Sequence, residues 1–228
     1  MRIYANCLEM LSEVHRDLFE MGVEVKPKTM QDKTVQGQKG FETLELSGYS
    51  FSILDLSDRD AMIKERDLNL DWCYQDLEER LSPDHVNPGE AYKLRDEWEE
   101  FVHNGEFAYT YNERLRYQME STINLLKFDH DTRQAVITVY EGEKDHSWRG
   151  GHKRVPCSMY YQFLVRDGKL NVIYTMRSSD FMTHFPYDIW MADQLRNHIA
   201  KEIGVEPGSL VFFSGSLHAY RKDIPETF

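Results

Sequence analysis

The stretch Arg154-Val155-Pro156-Cys157-Ser158-Met159-Tyr160-Tyr161-Gln162-Phe163-Leu164-Val165-Arg166-Asp167-Gly168-Lys169-Leu170 decides the fold. Met159 to Val165 and Leu170 to Met176 alternate between the two faces of a strand on either side of Asp167-Gly168. That dipeptide favours the left-handed backbone of a tight hairpin turn, so the two runs predict paired antiparallel strands. Beyond them stand Met176-Arg177-Ser178-Ser179-Asp180 and then Phe185-Pro186-Tyr187-Asp188-Ile189-Trp190. One cysteine, Arg154, Arg177 and two carboxylates are gathered around this hairpin, which makes it the place to look for chemistry.

Outward from the hairpin the chain mixes periods. Leu8, Leu11, Val14, Leu18 and Met21 recur at helical spacing and predict a helix over about residues 4–22, ended by Gly22. Residues 23–41 read as a polar loop, and Phe41 to Leu56 as one or two strands broken at Gly48. Asp58 is placed to cap a helix running through Ile63, Leu70, Tyr74 and Leu77. Glu90–Val102 and Glu113–Leu126 read as further helices. Period two returns at Val136–Tyr140, followed by a polar loop over Asp145–Lys153. Ile189–Ile203 predicts a helix stopped by Gly204, and Ser209–Ala219 a closing strand. No repeat or linker divides the chain, so residues 1–228 are expected to form one α+β domain with a mainly antiparallel sheet.

Composition narrows the function classes. With 228 residues and 41% hydrophobic content the chain can bury one sizeable core. A net charge of −12 argues against polymeric nucleic acid, which needs a basic footprint. A mononucleotide phosphate needs only a few local arginines. Three cysteines, an odd number, fit a reducing cytoplasm better than a disulfide framework. No apolar run approaches the ~20 residues of a membrane span, and Met1-Arg2-Ile3-Tyr4-Ala5 soon turns charged, unlike a signal peptide. A cytoplasmic protein without membrane or nucleic-acid partners is expected.

Cys157 follows a proline and lies near Arg154 and, across the hairpin, Arg177. Nearby positive charge favours the thiolate, the form that attacks carbon. A lone cysteine on a strand is also a common core residue; Cys7 and Cys73, each in a helix beside apolar neighbours, read that way. Arg177, Ser178, Ser179 and Asp180 offer a forked cation, two hydroxyls and a carboxylate; the cation and hydroxyls suit a phosphate, or surface ion pairing. His218 and Tyr220 alternate on the last strand and share a face. His146, His152 and Cys157 match no zinc spacing, so no metal is expected, and no glycine-rich phosphate loop occurs.

Taken in order, the Pro-Cys with Gln-Phe five residues on, the Arg-Ser-x-Asp, the Pro-x-Asp-Ile and the closing His-Ala-Tyr resemble the thymidylate synthase superfamily, which includes deoxycytidylate hydroxymethylases. The resemblance covers about Thr132 to Tyr220. It implies a twisted sheet flanked by helices, with one sheet face forming a homodimer interface. It also implies covalent catalysis: Cys157 adds to carbon 6 of a pyrimidine deoxynucleoside monophosphate, and carbon 5 takes a one-carbon unit from methylene-tetrahydrofolate or methylene-tetrahydromethanopterin. Carried over by motif, Arg177 and Ser178 bind the phosphate, and Gln162 sits beside the base and phosphate. His218 and Tyr220 address the sugar, Asp180 faces the pterin, and Tyr111 matches an active-site tyrosine. Arg133 matches an arginine that reaches the partner's phosphate.

Three departures accompany the resemblance. Asp188 stands where thymidylate synthases have asparagine. A carboxylate accepts from cytosine's amine but cannot donate to uracil's oxygen, which favours dCMP hydroxymethylation, with dUMP methylation as the alternative. Asn69 stands where the family has its catalytic glutamate, three residues before Trp72. Asn69 cannot trade protons, leaving Asp71, Asp67, Glu65 or a water held by Asn69 and Tyr111 as substitutes, or a homologue that binds nucleotide without turnover. The sequence ends at Phe228, soon after Tyr220, as in short archaeal relatives.

Overall fold

The computed structural model describes residues 1–31, 33–146 and 154–224. Its elements are β1 (Arg2–Tyr4), α1 (Cys7–Met21), β2 (Val23–Val25), β3 (Thr29–Met30), β4 (Lys33–Thr34), β5 (Thr43–Ile53), α2 (Arg59–Glu65) and α3 (Leu70–Leu81). Next come α4 (Tyr111–Phe128), β6 (Val136–Thr138), the one-turn α5 (Gly142–Asp145), β7 (Ser158–Arg166), β8 (Lys169–Asp180), α6 (Phe185–Ile203) and β9 (Glu206–Tyr220). The main sheet runs β1-β5-β9-β8-β7-β6, with β2 also paired to β5, and β3 and β4 form a separate hairpin. Only β1–β5 and β8–β9 are parallel, so the expected α+β layout with a mainly antiparallel sheet holds. The β7–β8 turn places Asp167 and Gly168 at φ 51° and 73°, the left-handed pair that Asp-Gly favours.

Several expected boundaries move for local reasons. The region read as a loop over 23–41 contains β2, taken up by the edge of β5, and β3 and β4, which pair only with each other. The single helix expected from Asp58 is two helices, α2 and α3, parted at Asp67 with its left-handed φ of 51°. Asp58 instead caps α1: its carboxylate accepts from the Cys7 and Leu8 amides at 3.0 Å each. The helix expected over 90–102 is a pair of 3₁₀ turns, Ala91–Leu94 and Asp96–Phe101, because Arg95 between them is extended and turns its side chain inward. Helix α6 begins at Phe185 rather than Ile189, with Pro186 in its first turn, where no amide donor is needed.

The core lies on one face of the sheet. Helices α1 and α6 pack directly on it, with α2, α3 and α4 against α6. Phe51, Tyr174, Phe185, Trp190 and Phe212 are buried there, and the Trp190 indole N–H donates to Asp60 at 2.7 Å. No described helix is long and apolar enough to cross a membrane.

One irregularity positions the functional residues. In β9 the buried positions are Leu210 and Phe212 at first, then Leu217 and Ala219; even numbers give way to odd. In β8 they pass from Leu170, Val172, Tyr174 and Met176 to Ser179. An unbroken strand keeps one parity, so the sheet is kinked between the two halves. The kink runs through Gly48, Gly215 and Arg177, which the neighbouring pairs leave between Ser47–Ser216 and Tyr49–Ser214 in one ladder and between Met176–Ser214 and Ser178–Ser216 in the other. A Cβ at Gly215 would lie 2.8 Å from the Arg177 carbonyl oxygen, so the strands can meet there only through glycine. Before the kink the outer face carries Tyr160, Leu164, Ile173, Val211 and Phe213, all half-buried or exposed. Beyond it Arg177, Ser178, Asp180, Ser216, His218 and Tyr220 line a cavity.

Candidate active site

The cavity encloses about 570 Å³ between the kinked sheet, α3, the 3₁₀ turns and the starts of α4 and α6. Cys157 lies just before β7 and is half-buried in its wall. Three donors surround its sulfur: Arg177 Nη2 at 3.6 Å, Ser178 Oγ at 3.7 Å and Gln31 Nε2 at 3.6 Å. Arg177 is fixed from behind. Its Nε donates to the Pro156 carbonyl at 2.9 Å, Nη2 to the Val155 carbonyl at 3.1 Å, and Nη1 to Ser178 Oγ at 3.2 Å. The strand pairing that sets β8 beside Cys157 thus also sets its cation.

Behind the cysteine runs a row of hydroxyls. Tyr111 OH lies 3.0 Å from Ser158 Oγ, which lies 2.5 Å from Tyr174 OH. Tyr111 opens α4, whose start is fixed by the Thr110–Glu113 capping box. Burial holds the Tyr111 phenol well above the ordinary tyrosine range, and the Arg80 guanidinium, 3.8 Å from its ring centroid, pulls the other way. Arg80 itself is buried and held by Asp76 across one helical turn at 2.6 Å.

Asp188 lines the same cavity from the first turn of α6. Burial raises its carboxyl to about 7, against the Ser179 hydroxyl and the Arg80 and Arg95 cations, which lower it. Asp180 accepts from the Met182 amide at 3.1 Å and from Thr183 Oγ1 at 2.7 Å. The His218 and Tyr220 rings stand edge to face at 5.2 Å, and His218 Nδ1 lies 3.4 Å from Ser216 Oγ.

The other side of the cavity is aromatic and cationic. Arg95 stacks over Trp72 at 4.8 Å and Tyr187 at 4.5 Å, and Trp98 lies parallel to His184 at 5.9 Å. Arg154 sits among Trp98, Phe101, Phe107 and Tyr109 at 4.5–5.3 Å. Among the described residues, Arg154 Nη1 and Trp98 Nε1 are buried donors without a hydrogen-bond partner.

The expected site residues therefore divide. Cys157, Tyr111, Arg177, Ser178, Asp180, Asp188, His218 and Tyr220 meet at one cavity. Asn69 does not line it: the residue caps α3, its Oδ1 accepting from the Trp72 amide at 3.0 Å and its Nδ2 donating to the Leu94 carbonyl at 2.9 Å. Both ends of the amide are occupied, which corrects its placement among catalytic groups. Asp67, Asp71 and Glu65 do not line the cavity either, whereas Asp76, two turns into α3 from Asn69, does. Gln162 also lies outside the cavity and donates to the Arg133 carbonyl at 2.9 Å. Arg133 is exposed and away from the cavity of its own chain. His152 falls outside the described residues, among which no group of three His, Cys, Asp or Glu is placed to hold a metal.

Arg80, Arg95, Trp98, Ser158 and Gln31 were not signalled as site residues by the sequence, and Ser179, read there as a phosphate donor, instead donates to Asp188. Only Arg80 left a trace there, as the i, i+4 partner of Asp76 on a helix face.

Comparison with known proteins agrees with this arrangement. The family model of thymidylate synthase matches residues 89–227. A curated protein of Methanosarcina barkeri named "Putative thymidylate synthase" is 30% identical over 124 residues, 52% of this chain and 55% of that one. One of the same name from Methanothermobacter thermautotrophicus is 32% identical over 126 residues, 53% of this chain and 54% of that one. The chain thus spans about half the length of the curated relatives it matches. Among solved structures, thymidylate synthase from T4 phage has the same fold, with a TM-score of 0.70 over 91% of this chain and 75% of that one at 22% identity. The matched span runs from the first 3₁₀ turn through Cys157, the kinked strands and Tyr220. With most of the chain matched and those residues converging on one cavity, the protein belongs to the thymidylate synthase family.

Proposed function

We propose that this protein transfers a one-carbon unit to carbon 5 of a pyrimidine deoxynucleoside monophosphate, with a methylene-carrying reduced pterin as second substrate. The observation that carries the reading is the Cys157 sulfur, held in a cavity within 3.7 Å of a guanidinium and a hydroxyl. A thiolate there attacks an electron-poor carbon, and Arg177 balances its charge. Addition to carbon 6 makes carbon 5 nucleophilic. After carbon 5 gains the one-carbon group and loses its proton, the bond from that group to the pterin nitrogen breaks and leaves an exocyclic methylene; hydride or water then adds to it, and expulsion of Cys157 restores the ring.

Arg177 and Ser178 suit the phosphate, and Arg133 suits the same phosphate across a dimer. Its exposure and the apolar outer face before the kink (Leu164, Ile173, Val211, Phe213) support a second copy of the chain there. The aromatic side of the cavity suits a pterin: Trp72, Trp98 and His184 offer flat walls, and the unpartnered Trp98 and Arg154 donors call for an acceptor-bearing ring. When bound, such a pterin supplies the methylene carbon and, for a methyl product, the hydride. Asp180 faces that side.

The named relatives favour dUMP methylation. Asp188 favours the second reading, dCMP hydroxymethylation, because a carboxylate accepts from cytosine's exocyclic amine. Release of tritium from carbon 5 of dUMP and dCMP, each with methylene-tetrahydrofolate or methylene-tetrahydromethanopterin, tests the reaction, and product mass separates methyl from hydroxymethyl. Release that requires Cys157 supports it. Release from neither nucleotide with either carrier overturns it.

A further inference from the structure

We infer that Ser179 and Asp188 together form a base selector able to take either pyrimidine, reading cytosine with the carboxylate and uracil with the neutral carboxyl. The inference rests on the nucleotide reading above and replaces its either-or choice with an equilibrium. Ser179 is 2% exposed, lies next to the phosphate-facing Ser178 and donates its hydroxyl to Asp188 Oδ2 at 3.0 Å. That contact commits one oxygen of the carboxyl to accepting. No hydrogen bond among the described residues occupies Oδ1, so Oδ1 is the atom left to meet a base in the cavity.

Without a proton, Oδ1 can only accept, as from the exocyclic amine of cytosine. With one, the proton belongs on Oδ1, since Oδ2 already accepts, and Oδ1 then donates to a carbonyl oxygen, as at the same position of uracil. One side chain thereby presents both hydrogen-bond polarities, whereas an asparagine amide would present a fixed pair.

The surroundings keep both forms within reach of neutral pH. Burial raises the carboxyl to about 7, while Ser179, Arg80 and Arg95 favour the charge and Asp180 opposes it. The Tyr111, Tyr161 and Tyr174 phenols, from α4, β7 and β8, also face Asp188, and burial keeps all three above their ordinary range, so they stay neutral there.

The test is calorimetric binding of dUMP and dCMP to the intact protein from pH 5.5 to 8.5, read as the ratio of the two dissociation constants. Both nucleotides carry the same phosphate, so its titration cancels. If each base binds only one form, each apparent affinity scales with the fraction in that form, and the ratio shifts toward dCMP by about tenfold per pH unit. Asp188→Asn should remove that slope and favour dUMP throughout. Ser179→Ala should keep the slope but move the whole line toward dUMP, since the charged form loses a donor; circular dichroism checks that both variants fold. A wild-type ratio changing by less than about twofold over the range overturns the selector, because it leaves no role for a changing fraction. In that case tritium release still stands or falls by itself. Binding of neither nucleotide overturns both readings.

Discussion

The Arg80 guanidinium lies 3.8 Å from the centre of the Tyr111 ring, and the same side chain is gripped by Asp76 at 2.6 Å. A helix that contributes no glutamate at Asn69 thus contributes a clamped cation about three turns later. That cation fixes the face of the tyrosine whose hydroxyl meets Ser158, the residue next to Cys157. Arg80 is accordingly expected to act on the site by positioning Tyr111.

Removing this cation has two separable effects. Arg80→Met strands a buried carboxylate and should cost about 3–5 kcal/mol of stability by chemical denaturation. The double variant Arg80→Met/Asp76→Leu should recover most of that stability. Tritium release should stay at least tenfold down in both, because neither restores the cation over Tyr111. Full recovery of activity in the double variant would show that Arg80 serves the fold alone.

Replacing Cys157, the proposed nucleophile, should separate chemistry from structure. Cys157→Ala is expected to lower tritium release by roughly 10³-fold or more. The cost in stability should stay within about 1 kcal/mol, as the residue is only half-buried. Nucleotide binding, measured by calorimetry, should persist through Arg177 and Ser178.

Asp188 should leave a signature in stability against pH. Its folded value, about 7, lies above the usual 3.8 because burial disfavours the charge. The folded state therefore holds this proton more tightly. The resulting contribution is fully present below pH 3.8 and is lost as pH rises through about 7. Asp188→Asn, which does not titrate, should gain on the wild type between pH 5 and 8, by at most about 3 kcal/mol, since only the two units from pH 5 to about 7 fall in that window. Denaturant unfolding of both proteins at the two pH values gives the comparison; Asp193, raised to about 6 by burial, is common to both and drops out.

The outer sheet face supplies a test in trans. Phe213→Lys, at a position 41% exposed, should convert a sedimenting dimer to monomer. Arg133→Ala should leave the dimer intact but weaken nucleotide binding about tenfold, the loss of one charged contact. Mixing Arg133→Ala with Cys157→Ala chains should restore part of the activity, since one of the two sites in a mixed dimer would then be whole. No restoration would place Arg133 outside the active site.

What the sequence made legible was local. Asp167-Gly168 and the alternation beside it sufficed for the hairpin, and the motifs from Cys157 to Tyr220 sufficed for seven of the eight side chains that meet at the cavity, Tyr111 being the eighth. The remainder depended on three dimensions. Asn69 looked like a substituted catalytic position because spacing from Trp72 does not reveal that both ends of its amide are engaged in capping α3. The helix expected over 90–102 failed because tertiary burial of Arg95 between Trp72 and Tyr187 outweighs helical propensity there. Ser179 reads as a second phosphate donor beside Ser178 until α6 brings Asp188 against it.

The kink through Gly48, Gly215 and Arg177 divides one sheet between two tasks. In the proposed reading, its outer surface on one side meets another copy of the chain, and on the other the same strands hold the cation beside Cys157. Because a hydrogen atom at Gly215 is all that separates the two regions, the border tolerates no side chain. Substitutions well to either side, by contrast, can retune assembly or chemistry one at a time.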